Sequence, residues 1–188
     1  MRQTTMRQHA AQMEAFLESI QRRAFRMARF AVGSTEDALD VVQEAMTALV
    51  RRYANRPEKE WKVLFYRILR SKIIDWHRRN RLRLRWRAWF SPKSSAAERD
   101  GTDPIEALPD PDRINPAERV LMEDTVAVVD AAVQKLPLRQ QQAFLLRAWE
   151  EMSVSEAATA MQCSEGSVKT HYARALKRLR QELGAYRP

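Results

Sequence analysis

The stretch that decides the fold is Ser153–Arg180, SVSEAATAMQCSEGSVKTHYARALKRLR. It reads as two helices joined by a very short turn. Ser153, with Glu156 three positions on, makes a capping box in which each side chain satisfies a backbone N–H at the helix start. Val154, Ala157, Ala158 and Met161 give that helix one apolar stripe. Gln162 and Cys163 form the turn, Ser164 offers a hydroxyl to cap the next helix, and Glu165 suits its first turn. The second helix buries Val168, Tyr172 or Ala175, and Leu179 at helical spacing. Its other face carries Lys169, Thr170, His171, Arg174, Lys177, Arg178 and Arg180. A short capped helix followed by a helix with a basic face is the sequence form of a helix-turn-helix. The plainer alternative is an amphipathic helix with a solvated basic face, but two caps and a turn at consistent offsets favour the motif.

Outward from that motif, the composition agrees. The 188 residues allow one domain or two small ones. Hydrophobic residues make up 45%, enough for real cores, while only 4 glycines against 30% charged residues favour helix over sheet. No window alternates apolar and polar residues, so an all-α fold is expected. A net charge of +9 points to a polyanionic partner, most simply nucleic acid. No apolar run is long enough for membrane insertion, and the polar start MRQTTMRQHAAQ is not a signal-peptide pattern. The single Cys163 cannot form an intramolecular disulfide, and with His9, His77 and His171 scattered there is no metal-ligand spacing. A reducing, cytoplasmic setting is expected.

Toward the N-terminus the chain reads as further helices. Residues before about Met13 look frayed. Phe16, Leu17, Ile20, Ala24, Met27 and Ala28 then recur at helical spacing in a first helix, Ala15 to Phe30. Gly33-Ser34 ends it and opens a second, Thr35 to Tyr53. There Val42, Met46, Leu49 and Tyr53 form a core stripe, while Asp40, Gln43, Glu44 and Thr47 share another face. After a polar loop from Asn55 to Glu60, a third helix starts at Trp61. It becomes strongly basic through Arg78, Arg79, Arg81, Arg83, Arg85 and Arg87, interleaved with Trp86, Trp89 and Phe90. Residues 91–116, with five prolines and several acids, read as a linker. Helices from Ala117 to Lys135 and from Leu138 to Glu150 follow, and with the opening motif they make a second helical domain. The expected organisation is 13–90, a linker at 91–116, and 117–185.

No catalytic arrangement emerges. There is no GxxxxGK[ST] loop, no HExxH pair and no nucleophile set suggested by local sequence, so an enzyme with a small-molecule substrate or a cofactor is not expected. Two basic surfaces remain, and they differ. The last helix is a rigid row of donors suited to a major groove. The span from Trp61 to Phe90 mixes aromatics with arginines, as single-stranded nucleic acid prefers, although Phe65 and Trp76 fall on its apolar stripe.

These residues resemble the extracytoplasmic-function sigma factors of bacterial RNA polymerase, the minimal two-domain class of the sigma-70 family. Asp37-Ala38-Leu39-Asp40-Val41-Val42-Gln43-Glu44 is similar to the family's DAxDLVQE signature. The resemblance implies that Asp37, Asp40, Gln43, Glu44 and Thr47 dock the core polymerase. Trp61 to Arg79 is similar to the family's FxxWLxxIARNxxxDxxRR segment. On that resemblance Trp61, Ser71, Lys72, Asp75, Trp76, Arg78 and Arg79 contact the minus-ten promoter element. The same resemblance implies that the preceding loop, with Arg52, Asn55, Arg56 and Lys59, captures a flipped base. Leu136-Pro137 through Arg180 is similar to the family's domain for the minus-thirty-five element. There Ser164, Ser167, Lys169, Thr170, His171, Ala173, Arg174 and Lys177 stand where the family contacts DNA. Gln162 occupies the usual turn glycine's position, which implies a turn residue tolerating a strained or left-handed conformation. The implied partners are core polymerase, promoter DNA and an anti-sigma factor. The rival reading is a LuxR-type regulator, whose helix-turn-helix also carries a VKxH sequence like Val168–His171.

Overall fold

The computed structural model describes residues 2–90 and 123–184, with side chains placed over 9–81 and 128–184. All regular structure among them is helical: α1 (Arg2–Val32), α2 (Thr35–Tyr53), α3 (Glu58–Phe90), α4 (Glu123–Gln134), α5 (Leu138–Phe144), a π-helical turn (Leu145–Trp149), α6 (Val154–Met161) and α7 (Glu165–Gly184). The proposed linker at 91–116 and the start of the helix expected from Ala117 lie outside the described residues.

The boundaries follow local chemistry. Gly33 closes α1 with a φ of 79°, a left-handed conformation that costs glycine little. Ser34 then caps α2, its Oγ accepting from the Asp37 N–H at 3.3 Å. At α6 the capping box is complete: Ser153 Oγ accepts from the Glu156 N–H at 3.2 Å, and the Glu156 carboxylate accepts from the Ser153 N–H at 2.8 Å. These bonds hold the Glu156 carboxyl below its ordinary range. Gln162 is left-handed at φ 51°, as its place in the turn demands.

Three boundaries differ from expectation. Helix α1 starts at Arg2 rather than near Met13, and α3 starts at Glu58 rather than Trp61. The expected single helix Leu138–Glu150 is α5 plus a π-helical turn, because Trp149 and Glu150 are drawn toward the N-terminal half.

In the N-terminal half α1, α2 and α3 pack around Ile20, Ala24, Leu49, Trp61, Phe65, Leu69 and Ile73, each 2% exposed or less. In the C-terminal half α7 packs on α4, α5 and α6 around Val133, Ala143, Leu145, Met161, Val168 and Ala175. The halves touch directly, with α6 along α3 and α4 and α5 against α1. Between them Arg26 grips Asp130 through two bonds of 2.7 and 2.9 Å, and the buried Gln141 side chain donates to the Phe30 carbonyl at 3.4 Å.

Candidate nucleic-acid and protein interfaces

Helix α7 presents two faces with different fates. Val168, Ala175 and Leu179 are buried, and Tyr172 stacks on Phe144 with centroids 6.5 Å apart. Lys169, Thr170, Ala173, Arg174 and Lys177 all point to solvent on the other side, as the motif requires. His171 is half-buried between the two faces. Ser164 and Ser167 are spent on the helix start: Ser164 Oγ accepts from the Ser167 N–H at 3.1 Å and lies 2.9 Å from its hydroxyl. Thr170 Oγ1 donates back to the Gly166 carbonyl at 2.9 Å, leaving its methyl and lone pairs outward. The face therefore offers long cationic donors on a rigid helix and a small residue, Ala173, permitting close approach. That is a combination for phosphates and guanine edges.

Helix α2 offers different chemistry. Its inner side buries Ala38, Val41, Val42, Ala45 and Leu49. Outside, Asp40, Gln43, Glu44 and Thr47 are exposed and line an open depression of about 610 Å³. Arg51 and Arg52 of α2 and Lys72 of α3 line it as well. Lys72 on α3 donates to Glu44 at 2.8 Å, and this bond holds the Glu44 carboxyl below its usual range. Asp37 stands apart from the depression, half-buried in the first turn of α2. Two residues absent from the sequence-derived set join this face: Leu39 is 53% exposed and Val50 41% exposed. Their signal was present, since both are large apolar residues on α2 that fall outside its core stripe. Around Val50 the surface continues into an apolar groove with Met13, Leu17 and Met46.

The residues assigned to a melted strand divide. Arg52, Asn55, Arg56 and Lys59 are exposed at the α2–α3 loop, where Arg56 pairs with Glu60 at 3.8 Å. Ser71, Arg78 and Arg79 are exposed along α3, with Arg78 donating to Asp75 at 3.1 Å. Trp76 is half-buried, edge-on to His77 with centroids 4.9 Å apart. Trp61 is fully buried, wedged against His9 at 5.1 Å and Phe16 at 5.7 Å, so it is a core residue and its ring cannot stack on a base. His77 also leaves the basic surface. Burial pulls its pKa down to about 4, against the opposing hydrogen bond to the Ala31 carbonyl, so it is neutral at pH 7. The aromatic side chains at 86, 89 and 90 lie outside the described residues. Among the described residues no cluster could hold a metal ion, and no helix is long and apolar enough to cross a membrane.

Comparison with known proteins meets the same division. A family model described as Sigma-70 region 2 matches residues 16–83, and one described as Sigma-70, region 4 matches residues 127–179. The RNA polymerase sigma-E factor of Streptomyces coelicolor is 33% identical over 178 residues, covering 93% of this chain and 87% of that protein. The ECF RNA polymerase sigma factor SigD of Mycobacterium tuberculosis is 29% identical over 178 residues, covering 90% and 76%. Among solved structures, the sigma factor RpoE in complex with the anti-sigma factor NepR from Bartonella quintana has a similar fold. Its TM-score is 0.62 at 18% identity, over 93% of this chain and 99% of that one.

Proposed function

The chain belongs to the extracytoplasmic-function sigma factors of the sigma-70 family, and from that premise we propose how its surfaces divide the work of transcription initiation. It is an alternative sigma factor: it binds core RNA polymerase, recognises the minus-thirty-five and minus-ten promoter elements and promotes melting between them. RNA synthesis is the polymerase's chemistry, and the factor, acting in the cytoplasm, supplies placement alone. Its working modules are residues 13–90 and 117–185, tethered by 91–116.

The outer face of α2 is the polymerase dock. Asp40, Gln43, Glu44 and Thr47 supply polar register, and Leu39 and Val50 supply apolar area around them. Exposed apolar side chains interleaved with acids and amides suit a protein partner, since a polyanion is repelled by the acids. Exposed Arg52, Asn55, Arg56 and Lys59 with Ser71, Lys72, Asp75, Arg78 and Arg79 address the minus-ten strand, Trp76 giving a partly exposed ring. Lys169, Thr170, Ala173, Arg174 and Lys177 on α7 read the minus-thirty-five element in the major groove. His171 lies at the edge of that surface, and Ser164 and Ser167 hold the helix N-terminus at the backbone. An anti-sigma factor is the expected regulatory partner.

The observation that carries this reading is the exposed acidic-amide and apolar face of α2 beside a basic α3, in the half that matches Sigma-70 region 2. A LuxR-type regulator, with a sensing or dimerisation module in that place, needs neither feature and is not favoured. The test is run-off transcription with core polymerase on a promoter library. Specific initiation that appears only when the factor is added supports it. Failure to associate with core polymerase, together with dimeric binding to a palindromic operator, overturns it.

A further inference from the structure

The α2–α3 loop is short, and it is tied down from two directions. On the α3 side the Arg67 guanidinium donates to the Tyr53 hydroxyl at 3.2 Å and lies over the Tyr53 ring at 5.8 Å. The other tie comes from α1. The His9 imidazole, 45 positions earlier in sequence, bonds through Nε2 to the carbonyl of Ala54, the residue that caps the end of α2. A carbonyl only accepts, so Nε2 carries the proton and donates. The last carbonyls of a helix have no partner within it, and His9 satisfies this one.

Core packing sets the ring in place for this bond. His9, Met13, Phe16 and Ile20 recur at helical spacing and share the inner face of α1. Met13 and Ile20 are buried. The His9 ring meets the buried Trp61 edge-on at 5.1 Å, with Phe16 beside the same indole at 5.7 Å. A ring already held by packing gives up little further freedom when its N–H bonds to the loop.

Beyond Ala54 the loop faces water. Asn55 and Arg56 are exposed, and Asn55 lines the same groove as His9. Pro57 disfavours helical geometry at Arg56, whose N–H donates to the Tyr53 carbonyl at 3.0 Å. The one ion pair described for these two side chains, Arg56 with Glu60 at 3.8 Å, is exposed and holds weakly. Where Asn55 and Arg56 stand is therefore decided by the backbone, and the Ala54 carbonyl is the point at which α1 grips that backbone.

We propose that His9 is a positioning residue for this loop: by holding the Ala54 carbonyl it sets where Asn55 and Arg56 stand, and so sharpens discrimination among bases at the position the loop captures. The base-reading part rests on the sigma-factor reading of the loop; the clamp from α1 does not. His9 lies ahead of the region 2 match, which begins at residue 16, so the clamp is a feature of this chain outside the matched segment.

Two variants of the full chain separate the donor from the packing. His9→Phe keeps an aromatic ring against Trp61 and removes the donor. His9→Gln places an amide N–H the same number of bonds from Cα and gives up the ring. Hydrogen exchange of the Arg56 amide in the free chain should rise about fivefold in His9→Phe, the worth of one hydrogen bond, and stay at the wild-type rate in His9→Gln. Open-complex formation with core polymerase is then measured on promoters in which each minus-ten position carries each base in turn. His9→Phe should lose about fivefold in preference at the captured position and keep its preferences elsewhere, and His9→Gln should restore the loss. Unchanged exchange in His9→Phe, an equal loss at every position, or His9→Gln matching His9→Phe overturns the proposal. Raised exchange with wild-type preference overturns it as well, provided Asn55→Ala or Arg56→Ala shifts that preference. If those two variants also leave every preference intact, the base-capture reading of the loop fails and the clamp stands. Should His9→Phe lose its helical circular dichroism, His9→Met, slimmer and equally without a donor, takes its place.

Discussion

Helices α2 and α7 each bury one stripe and turn a polar face to solvent, yet the two faces are opposites. On α7 the outward side chains Lys169, Arg174 and Lys177 share one sign, with small or hydroxyl residues between them and no large apolar side chain. On α2 acids, amides and the exposed Leu39 and Val50 alternate, and Glu44 is tied to Lys72 at 2.8 Å. A face of one sign attracts a polyanion at long range and loosens with salt. A face of mixed sign with apolar area gains little at long range and binds by fit. The contrast is what supports the proposed division into a DNA reader on α7 and a protein dock on α2.

The sharpest way to break the comparison is to strip α2 of its fit. Replacing Leu39, Asp40, Gln43 and Val50 together by Ala should weaken association with core polymerase by about 2–4 kcal/mol, in the range of interface hot spots. Thermal stability should stay within about 0.5 kcal/mol, since all four are exposed. Titration of labelled variant against core polymerase checks it, and wild-type affinity would refute the dock. Next, Arg174→Ala should cost about 1–3 kcal/mol at the upstream element if it reads a base. Footprinting against promoters altered at single positions reads the loss. The same duplex affinity should fall steeply with salt for α7, while polymerase binding through α2 should respond weakly.

Much of this contrast was legible in the residues. The α2 boundaries follow from Gly33-Ser34, and the α6 capping box from Ser153 and Glu156, because caps are local chemistry. The α7 face followed from helical period alone. What escaped was tertiary. Trp61 looks like a stacking aromatic, but it is enclosed by Phe16 of the first helix and by His9, which comes from a segment that reads as frayed. Glu150 resembles any polar helix end, and only the three-dimensional placement of Arg23 and Lys62 explains its burial. Gln140, Gln141 and Gln142 look solvated and are all buried, one of them bridging to the Val133 carbonyl at 3.1 Å. Leu39 and Val50 were visible as apolar residues, but their exposure depends on α1 and α3 leaving that side of α2 open.

A smaller effect sharpens the α7 side. Ser153→Ala removes one bond of the capping box and should cost about 1 kcal/mol of stability. The loss falls on α6, which positions α7, so denaturant unfolding should show it while the α2 dock keeps its polymerase affinity. An equal loss of both functions would mean that the halves do not act as separate modules once the chain is on the enzyme.

The smallest effect lies where the two chemistries meet. Lys72 belongs to the surface of α3 proposed to bind the melted strand, yet it is bonded to Glu44 of the proposed dock. Both side chains are partly exposed, so the pair is worth only about 0.2–1 kcal/mol. Lys72 holds the Glu44 carboxyl below its ordinary 4.5. A depressed carboxylate contributes its stability above that ordinary value and loses it as pH falls through the lowered one. The stability gap between wild type and Glu44→Gln should therefore be small but measurable at pH 7 and close below about pH 4. If the gap is flat across that range, the bond is a passive surface contact. If it closes, then a phosphate that draws Lys72 away leaves Glu44 without its cation, so that strand capture on α3 changes the charge the dock presents to its protein partner.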